Sequence, residues 1–310
     1  MSVLICGSLA YDSIMVFQDR FKNHILPDNI HILNVSFLVP QMRREFGGCA
    51  GNIAYNLKLL GGEPLIMATV GEDFDPYRKR LEKLGIAQTH IRVLPDTYTA
   101  QCFITTDLDH NQITAFHPGA MSNSHDNHVG ETQGVKLGIV GPDGRDGMLQ
   151  HSRDFHAEGI PFVFDPGQGM PLFNGDELKQ CLEWATWCTL NDYEAHLMCE
   201  RTGLSLEAIA SQLEGLIVTR GGEGSDLYAG GARIHVPAVR AERLLDPTGC
   251  GDAYRGGLLY GLAEGWSLEK SCKLASLMGS IKIAETGPQN HAPSREDVAV
   301  QYRAAFGESL

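Results

Sequence analysis

The sequence predicts an α/β fold with a mostly parallel central sheet and a smaller sheet inserted beside it. Three observations support this. Short apolar runs such as Val3-Leu4-Ile5-Cys6-Gly7 and Leu216-Ile217-Val218-Thr219 suit strands buried on both faces. Helical patterns alternate with these runs, as βαβ units require. The rhythm breaks in two places, where polar and alternating stretches suggest a separate small sheet. We therefore expect one domain over residues 1–310, with lid segments at about 14–46 and 96–118 inserted in it.

In order, the first strand ends at Gly7, with Ser8 and Asp12 following at its carboxyl end. Ligands of open α/β sheets bind at that end, so Asp12 reads either as a turn residue or as a ligand contact. Ile14 to Phe17 and Ile32 to Val39 are predicted strands of the small sheet. Arg43 and Arg44 are read as solvated or ion-paired, with a phosphate contact as the alternative. Gly47-Gly48 permit close backbone approach, and an amphipathic helix starts after them with Asn52 in its first turn. Leu65 to Val70 forms a strand and Phe74 to Leu84 a helix closed by Gly85.

Tyr98 to Thr106 and Gln112 to His117 read as a hairpin, on which Phe103 and Phe116 either meet or face opposite ways. Val135 to Val140 resumes the main sheet, followed by a helix near Asp146 to Ala157 and a strand at Pro161 to Phe164. Asp165-Pro166-Gly167-Gln168-Gly169 places polar and glycine residues at that strand's carboxyl end. Trp184 to Leu190 is a strand running into Asn191-Asp192-Tyr193-Glu194. That pair suits a capping box, or a carboxylate that orders Mg²⁺ and its waters. Leu216 to Thr219 leads into Arg220-Gly221-Gly222-Glu223-Gly224, and strands at Ser225 to Ala229 and Ala232 to Val239 follow. Two helices come next, Ser267 capping the second, and a C-terminal helix spans about Arg295 to Ala305.

Asp246-Pro247-Thr248-Gly249-Cys250-Gly251-Asp252 carries the clearest chemistry. Gly249 and Gly251 leave N–H groups bare at a helix start, where the dipole also favours an anion. Asp252 there is either an N-terminal cap or a carboxylate that handles a proton. An anion site beside a base suits phosphoryl transfer to a hydroxyl.

Composition bounds the alternatives. Lys and Arg number 25 against 38 Asp and Glu, a net charge of −13, which argues against general affinity for nucleic acid or acidic membranes. Eight cysteines without C-x-x-C spacing read as free thiols in a reducing cytosol. His125 and His128 flank a polar loop and are read as solvated rather than metal-binding. With neither a signal peptide nor a long apolar run, the expected location is the cytoplasm. G-x-G-x-x-G is missing after the first strand and G-x-x-x-x-G-K-[ST] occurs nowhere, which excludes a Rossmann dinucleotide site and a P-loop.

Taken together, Gly47 to Gly61, Asn191 to Glu194 and Asp246 to Leu259 resemble the signatures of the ribokinase (PfkB) family, in the right order and nearly end to end. The resemblance implies a three-layer α/β/α fold with a β lid and ATP-dependent phosphorylation of a primary hydroxyl. It makes Asp252 the base and Gly249, Cys250 and Gly251 the anion hole. Ser8, Asp12, Gly47, Gly48 and Asn52 become substrate contacts. Asn191, Glu194, Thr219, Arg220, Gly221 and Gly224 become nucleotide contacts, with Glu194 reaching Mg²⁺ through water. The cofactors implied are ATP and Mg²⁺, with K⁺ as an option. Cys250 stands where the family often carries alanine; a thiol is small enough to fit, so activity is expected to be kept, and whether oxidation there blocks the site is left open.

Within the family the chain is most similar to the bacterial adenosine kinases, with Phe103 and Phe116 clamping a purine and Gln168 contacting the base. The expected reaction is phosphorylation of adenosine at its 5′-hydroxyl. A kinase of a free or phosphorylated sugar, using Arg43, Arg44 and Arg255, is the alternative. A non-catalytic regulator fits poorly with Asp252, Gly249, Gly251 and Glu194 all present. A homodimer through the lid is the expected assembly.

Overall fold

The computed structural model describes residues 2–25, 34–109 and 111–310. The strands are β1 (Ser2–Cys6), β2 (Ala10–Val16), β3 (Gln41–Gly47), β4 (Glu63–Val70), β5 (Ala87–Val93), β6 (Ala100–Thr106), β7 (Gln112–His117), β8 (Val135–Val140), β9 (Phe162–Phe164), β10 (Trp187–Asn191), β11 (Gly215–Thr219), β12 (Ser225–Ala229) and β13 (Ala232–Val236). The α-helices are α1 (Cys49–Leu59), α2 (Asp75–Leu84), α3 (Arg145–Ala157), α4 (Gly175–Trp184), α5 (Asp192–Thr202), α6 (Leu206–Ala210), α7 (Cys250–Ala263), α8 (Leu268–Ile283) and α9 (Arg295–Phe306).

The larger sheet runs β13-β12-β11-β10-β9-β8-β1-β4-β5. It is parallel from β5 to β11 and antiparallel only where β12 and β13 are added. Helices cover both faces because the strands are apolar on both. In β1, Leu4 and Cys6 point into one core with Phe155, Leu178 and Met198, while Val3 and Ile5 point into another with Ile53, Leu57 and Leu259. That alternation is the period of two expected of a strand buried on each side. A β-carbon on Gly256 would meet Asn56 Cβ at 2.5 Å, and one on Gly257 would meet Ala275 Cα at 2.8 Å. These glycines let α7 pack closely against α1 and α8.

The smaller sheet runs β3-β2-β6-β7. Its edge strand β3 differs from expectation. Ile32 lies outside the described residues, 34–39 have no regular structure, and the strand is Gln41–Gly47 instead. Pairing with β2 makes β3 a strand despite its charges, and a charged edge is a common guard against further pairing. Phe37 instead packs against the rings of Phe17 and Phe21. The strand expected to reach Val239 stops at Val236, because Pro237 has no N–H to extend the ladder.

Candidate active site

The carboxyl ends of β1, β8, β9, β10 and β11 share one edge, and the start of α7 faces it. Gly249 is the N-cap of α7 with φ of 79°, a left-handed value. A β-carbon there would also meet Pro288 Cβ at 2.8 Å. No side chain caps this helix end; Cys250 N donates to Pro247 O at 3.1 Å, and the N–H groups of Gly251 and Asp252 behind it face the cleft end where an anion would bind. Cys250 is partly buried, and burial pushes its thiol up to about 11. That disfavours the thiolate, the form through which a thiol is oxidised.

Asp252 sits in the first turn of α7 and is partly exposed. Asn52 Nδ2 donates to its Oδ2 at 2.8 Å. Gln289 Nε2 donates to Asn52 Oδ1 at 3.0 Å and to the Tyr77 hydroxyl at 2.8 Å. The Tyr77 hydroxyl in turn donates to Gly47 O at 2.8 Å. Burial raises Asp252 to about 6, against the hydrogen bond from Asn52 and the charge of Arg255, which both lower it. A carboxylate poised there is ionised at neutral pH yet more basic than an exposed one. Asn52, expected to touch the substrate, gives one of its two amide N–H groups to Asp252 and its oxygen to Gln289. The bond fixes the direction of the Asp252 carboxylate.

Asp12 lies on β2 beside Gly47, where a β-carbon would come within 2.4 Å of its Oδ2. Burial, then the charges of Asp252, Glu45 and Asp246, raise Asp12 to about 6. Gly48 has φ of 83°, and a β-carbon there would meet Ser8 O at 2.5 Å. Ser8 Oγ accepts the Cys49 N–H at 3.3 Å and Ser8 O accepts the Ala50 N–H at 3.0 Å. Ser8 therefore anchors the start of α1 rather than turning toward a ligand.

Along the other half of the edge, Asp165 follows β9 and takes a two-pronged contact from buried Arg255, at 2.9 and 2.8 Å. Burial works against the charge of Arg255, but Asp165 holds it protonated. Arg255 is thus no contact for a substrate. Arg43 leans toward Glu45 and Asp246, and Arg44 stacks over Tyr11 with its carbon 3.7 Å from the ring centre.

Asn191 and Glu194 form a complete capping box. The Glu194 carboxylate accepts from Asn191 N and Nδ2, each at 2.8 Å, and Asn191 Oδ1 accepts from Glu194 N at 2.8 Å. Burial, then Asp165, raises Glu194. Asp165, Glu194 and Asp252 all act on the single guanidinium of Arg255, leaving an excess of negative charge. Among the described residues no cluster of three ligands could cage a metal. The charge left over from Glu194 and Asp165 suits a Mg²⁺ ion, which would be held here through water and nucleotide phosphate oxygens.

Thr219 lies beside Asn191 in the β10–β11 register, and Arg220 to Gly224 form a tight loop in which Arg220 N donates to Gly224 O at 2.8 Å. The Arg220 side chain does not reach into the cleft freely, since it shares Asp226 with Arg233 and His235. Gly221 has φ of 54° and open space around it.

The hairpin β6–β7 separates the two phenylalanines. Asp12 pairs with Cys102, and Cys102 with Phe116, so Phe116 shares the face of Asp12. Phe103 pairs with Ser13 and Ala115 and lies on the opposite face. Both rings are substantially exposed, 52% for Phe116 and 41% for Phe103. The expectation that both clamp one ligand is corrected for Phe103, because neighbouring register positions of a strand alternate in direction. Gln168 stands exposed on the turn after β9, near Asp165. Tyr77 and Gln289 were not identifiable from sequence, since a tyrosine inside a helix and a glutamine in a loop carry no local mark.

Residues 9–295 match the model of the pfkB family of carbohydrate kinases. The structure is similar to that of a Burkholderia thailandensis nucleoside kinase in complex with inosine, at 55% identity, a TM-score of 0.91 and 99% coverage of both chains. By sequence the chain is 28% identical over 269 residues to a nucleoside kinase of Methanocaldococcus jannaschii, covering 86% of this chain and 88% of that one. It is 27% identical over 289 residues to an adenosine kinase of Saccharomyces cerevisiae, covering 81% of each. The family match runs through both glycine stretches, the small sheet and the strand-edge carboxylates, and the chain belongs to the pfkB carbohydrate kinase family, as a phosphotransferase with an alcohol acceptor.

Proposed function

We propose that this kinase transfers the γ-phosphate of ATP to the 5′-hydroxyl of a purine ribonucleoside, adenosine foremost. The observation that carries this reading is the shared placement of Asp12 and Phe116 on the lid face nearest Asp252. A carboxylate suits paired ribose hydroxyls and an aromatic ring suits a base, whereas a free sugar has no face to stack. The similar nucleoside kinase that holds inosine supports a purine, and makes inosine the second acceptor to test.

The acceptor hydroxyl approaches Asp252, which takes its proton as the new oxygen–phosphorus bond forms. The bond from the γ-phosphorus to the bridging oxygen breaks and ADP leaves. Negative charge on the phosphoryl oxygens falls at the open N-terminus of α7, where each well-aimed donor is worth about 10²–10³ in rate. General-base help adds about 10²–10⁴. Asn52, Gln289 and Tyr77 hold the base in place. Mg²⁺, when bound, would screen the negative charge of the phosphates, with Glu194 ordering its waters. Asn191, Glu194 and the loop from Thr219 to Gly224 lie along the nucleotide, and Gln168 reaches the base from the rim. The lid's outer face, with Met42, Phe103 and Ile113 exposed, pairs with a second copy. The protein works in the cytoplasm; no helix among the described residues is long and apolar enough to cross a membrane.

The test is ADP release with ATP and Mg²⁺ against adenosine, inosine, guanosine, cytidine, ribose and fructose. Highest kcat/KM with adenosine supports the reading. Higher kcat/KM with a sugar than with every nucleoside would leave the kinase standing and overturn the acceptor.

A further inference from the structure

Lys282, near the end of α8, is wholly buried, with 0% of its surface exposed. Its Nζ donates to the main-chain oxygen of Asp246 at 2.7 Å and to that of Glu285 at 3.0 Å. Asp246 opens the loop that delivers Gly249 and the anion-binding start of α7. Its carboxylate accepts the N–H of Thr248 and of Gly287, each at 2.9 Å. The N–H groups of Leu245 and Asp246 both donate to Ile283 O, at 2.9 and 3.2 Å. The loop before the anion hole and the turn after α8 are thus gathered around one ammonium. Burial works to depress that charge, while Cys250, Asp246 and Glu285 favour it and Arg43 opposes it. A lysine is seldom fully buried without a partner, and here its partners are the backbone of the catalytic loop.

K⁺ is the remaining cofactor that the family resemblance leaves open. An ion of that kind is held by main-chain carbonyls with help from carboxylates. The carbonyls of Asp246 and Glu285, with the Asp246 carboxylate beside them, are such a set, and they adjoin the anion hole. The Lys282 ammonium already lies within hydrogen-bond distance of both carbonyls. A K⁺ ion on the same oxygens would be in contact with a like charge. The residues present at this position do not fit K⁺.

We propose that Lys282 is a built-in monovalent cation: a positioning residue that holds the anion-hole loop in shape and frees the reaction from any added K⁺. The proposal rests on phosphoryl transfer at α7 and not on which acceptor is preferred.

The experiment uses the full chain in tetramethylammonium buffer at fixed ionic strength, with ATP, Mg²⁺ and whichever acceptor the panel above favours. Choosing the acceptor this way keeps failure of the nucleoside reading separate from failure of this one. Rates are followed as KCl, NaCl or NH₄Cl replaces tetramethylammonium chloride. The wild-type rate should stay flat across all three titrations. Lys282→Met should lose kcat by about 10²-fold, the scale of a lost charge-stabilising contact, with little change in KM for the acceptor. K⁺ or NH₄⁺ should restore part of that kcat by occupying the vacated carbonyls. Activation of the wild type by K⁺ would overturn the proposal. So would a folded Lys282→Met that keeps full kcat, or one whose loss no cation relieves. If the variant does not fold, the wild-type titration decides alone.

Discussion

Asn52 donates one N–H to Asp252, and that bond is the foremost influence holding the carboxylate's pKa down against burial. Asp252 must be ionised to accept a proton, so activity falls as pH drops through about 6. Removing a donor that favours the ionised form raises the pKa. Asn52→Ala should therefore move the acid limb of kcat/KM to higher pH, read from a pH–rate profile. Asp12 titrates in the same range, so the wild-type limb contains both carboxylates and only part of it should move. An unmoved limb would show that Asn52 does not set the base. Glu194 tests the opposite half of the cleft. Glu194→Gln keeps one acceptor for the capping box but loses the charge, so the Mg²⁺ concentration for half-maximal rate should rise. A loss of only about 1 kcal/mol in thermal stability, with Mg²⁺ response unchanged, would reduce Glu194 to a cap.

Among the elements, the start of α7 was the most legible in the sequence, because glycine and cap chemistry are local. Gly249 needs a positive φ and lies against Pro288. Gly249→Ala should cost at least about 1–2 kcal/mol of stability, measured by urea unfolding, since a side chain is strained in that conformation. Wild-type stability would argue that the turn is freer than it looks. Strands β3 and β5 were missed for a different reason. Their polar residues come in consecutive runs, Arg43 to Glu45 and Gln88 to His90, with no alternation to mark a strand, and only pairing with β2 and β4 makes them strands. Helix α4 was missed although Asn174 and Glu177 form a full capping box at its start. The hairpin β6–β7 was legible, but its facing was not, since register decides which phenylalanine meets the cleft. Phe116→Ala should weaken the nucleoside by about 5- to 150-fold in kcat/KM, the loss of one base–aromatic contact of about 1–3 kcal/mol. Phe103→Ala should leave kcat/KM unchanged and alter the elution volume in size-exclusion chromatography. Equal losses from both variants would contradict the assignment of faces.

At the scale of the whole molecule, the cleft draws on residues from Asp12 to Gln289, joined by contacts that no local pattern announces. The relay from Gly47 through Tyr77, Gln289 and Asn52 to Asp252 links β3, α2, the loop after α8, α1 and α7. The Asp165–Arg255 pair ties β9 to α7 in the same way. Motif order carried the family, while these cross-links came only from the packed structure. They converge on one claim, that Asp252 accepts the proton as the phosphoryl group moves. The direct measurement is kcat and nucleotide affinity for Asp252→Asn beside the wild type, with a melting curve to confirm the fold. Turnover should fall by at least about 10²-fold while ADP binding and melting temperature stay close to wild type. Near-normal turnover in a folded Asp252→Asn would contradict the account.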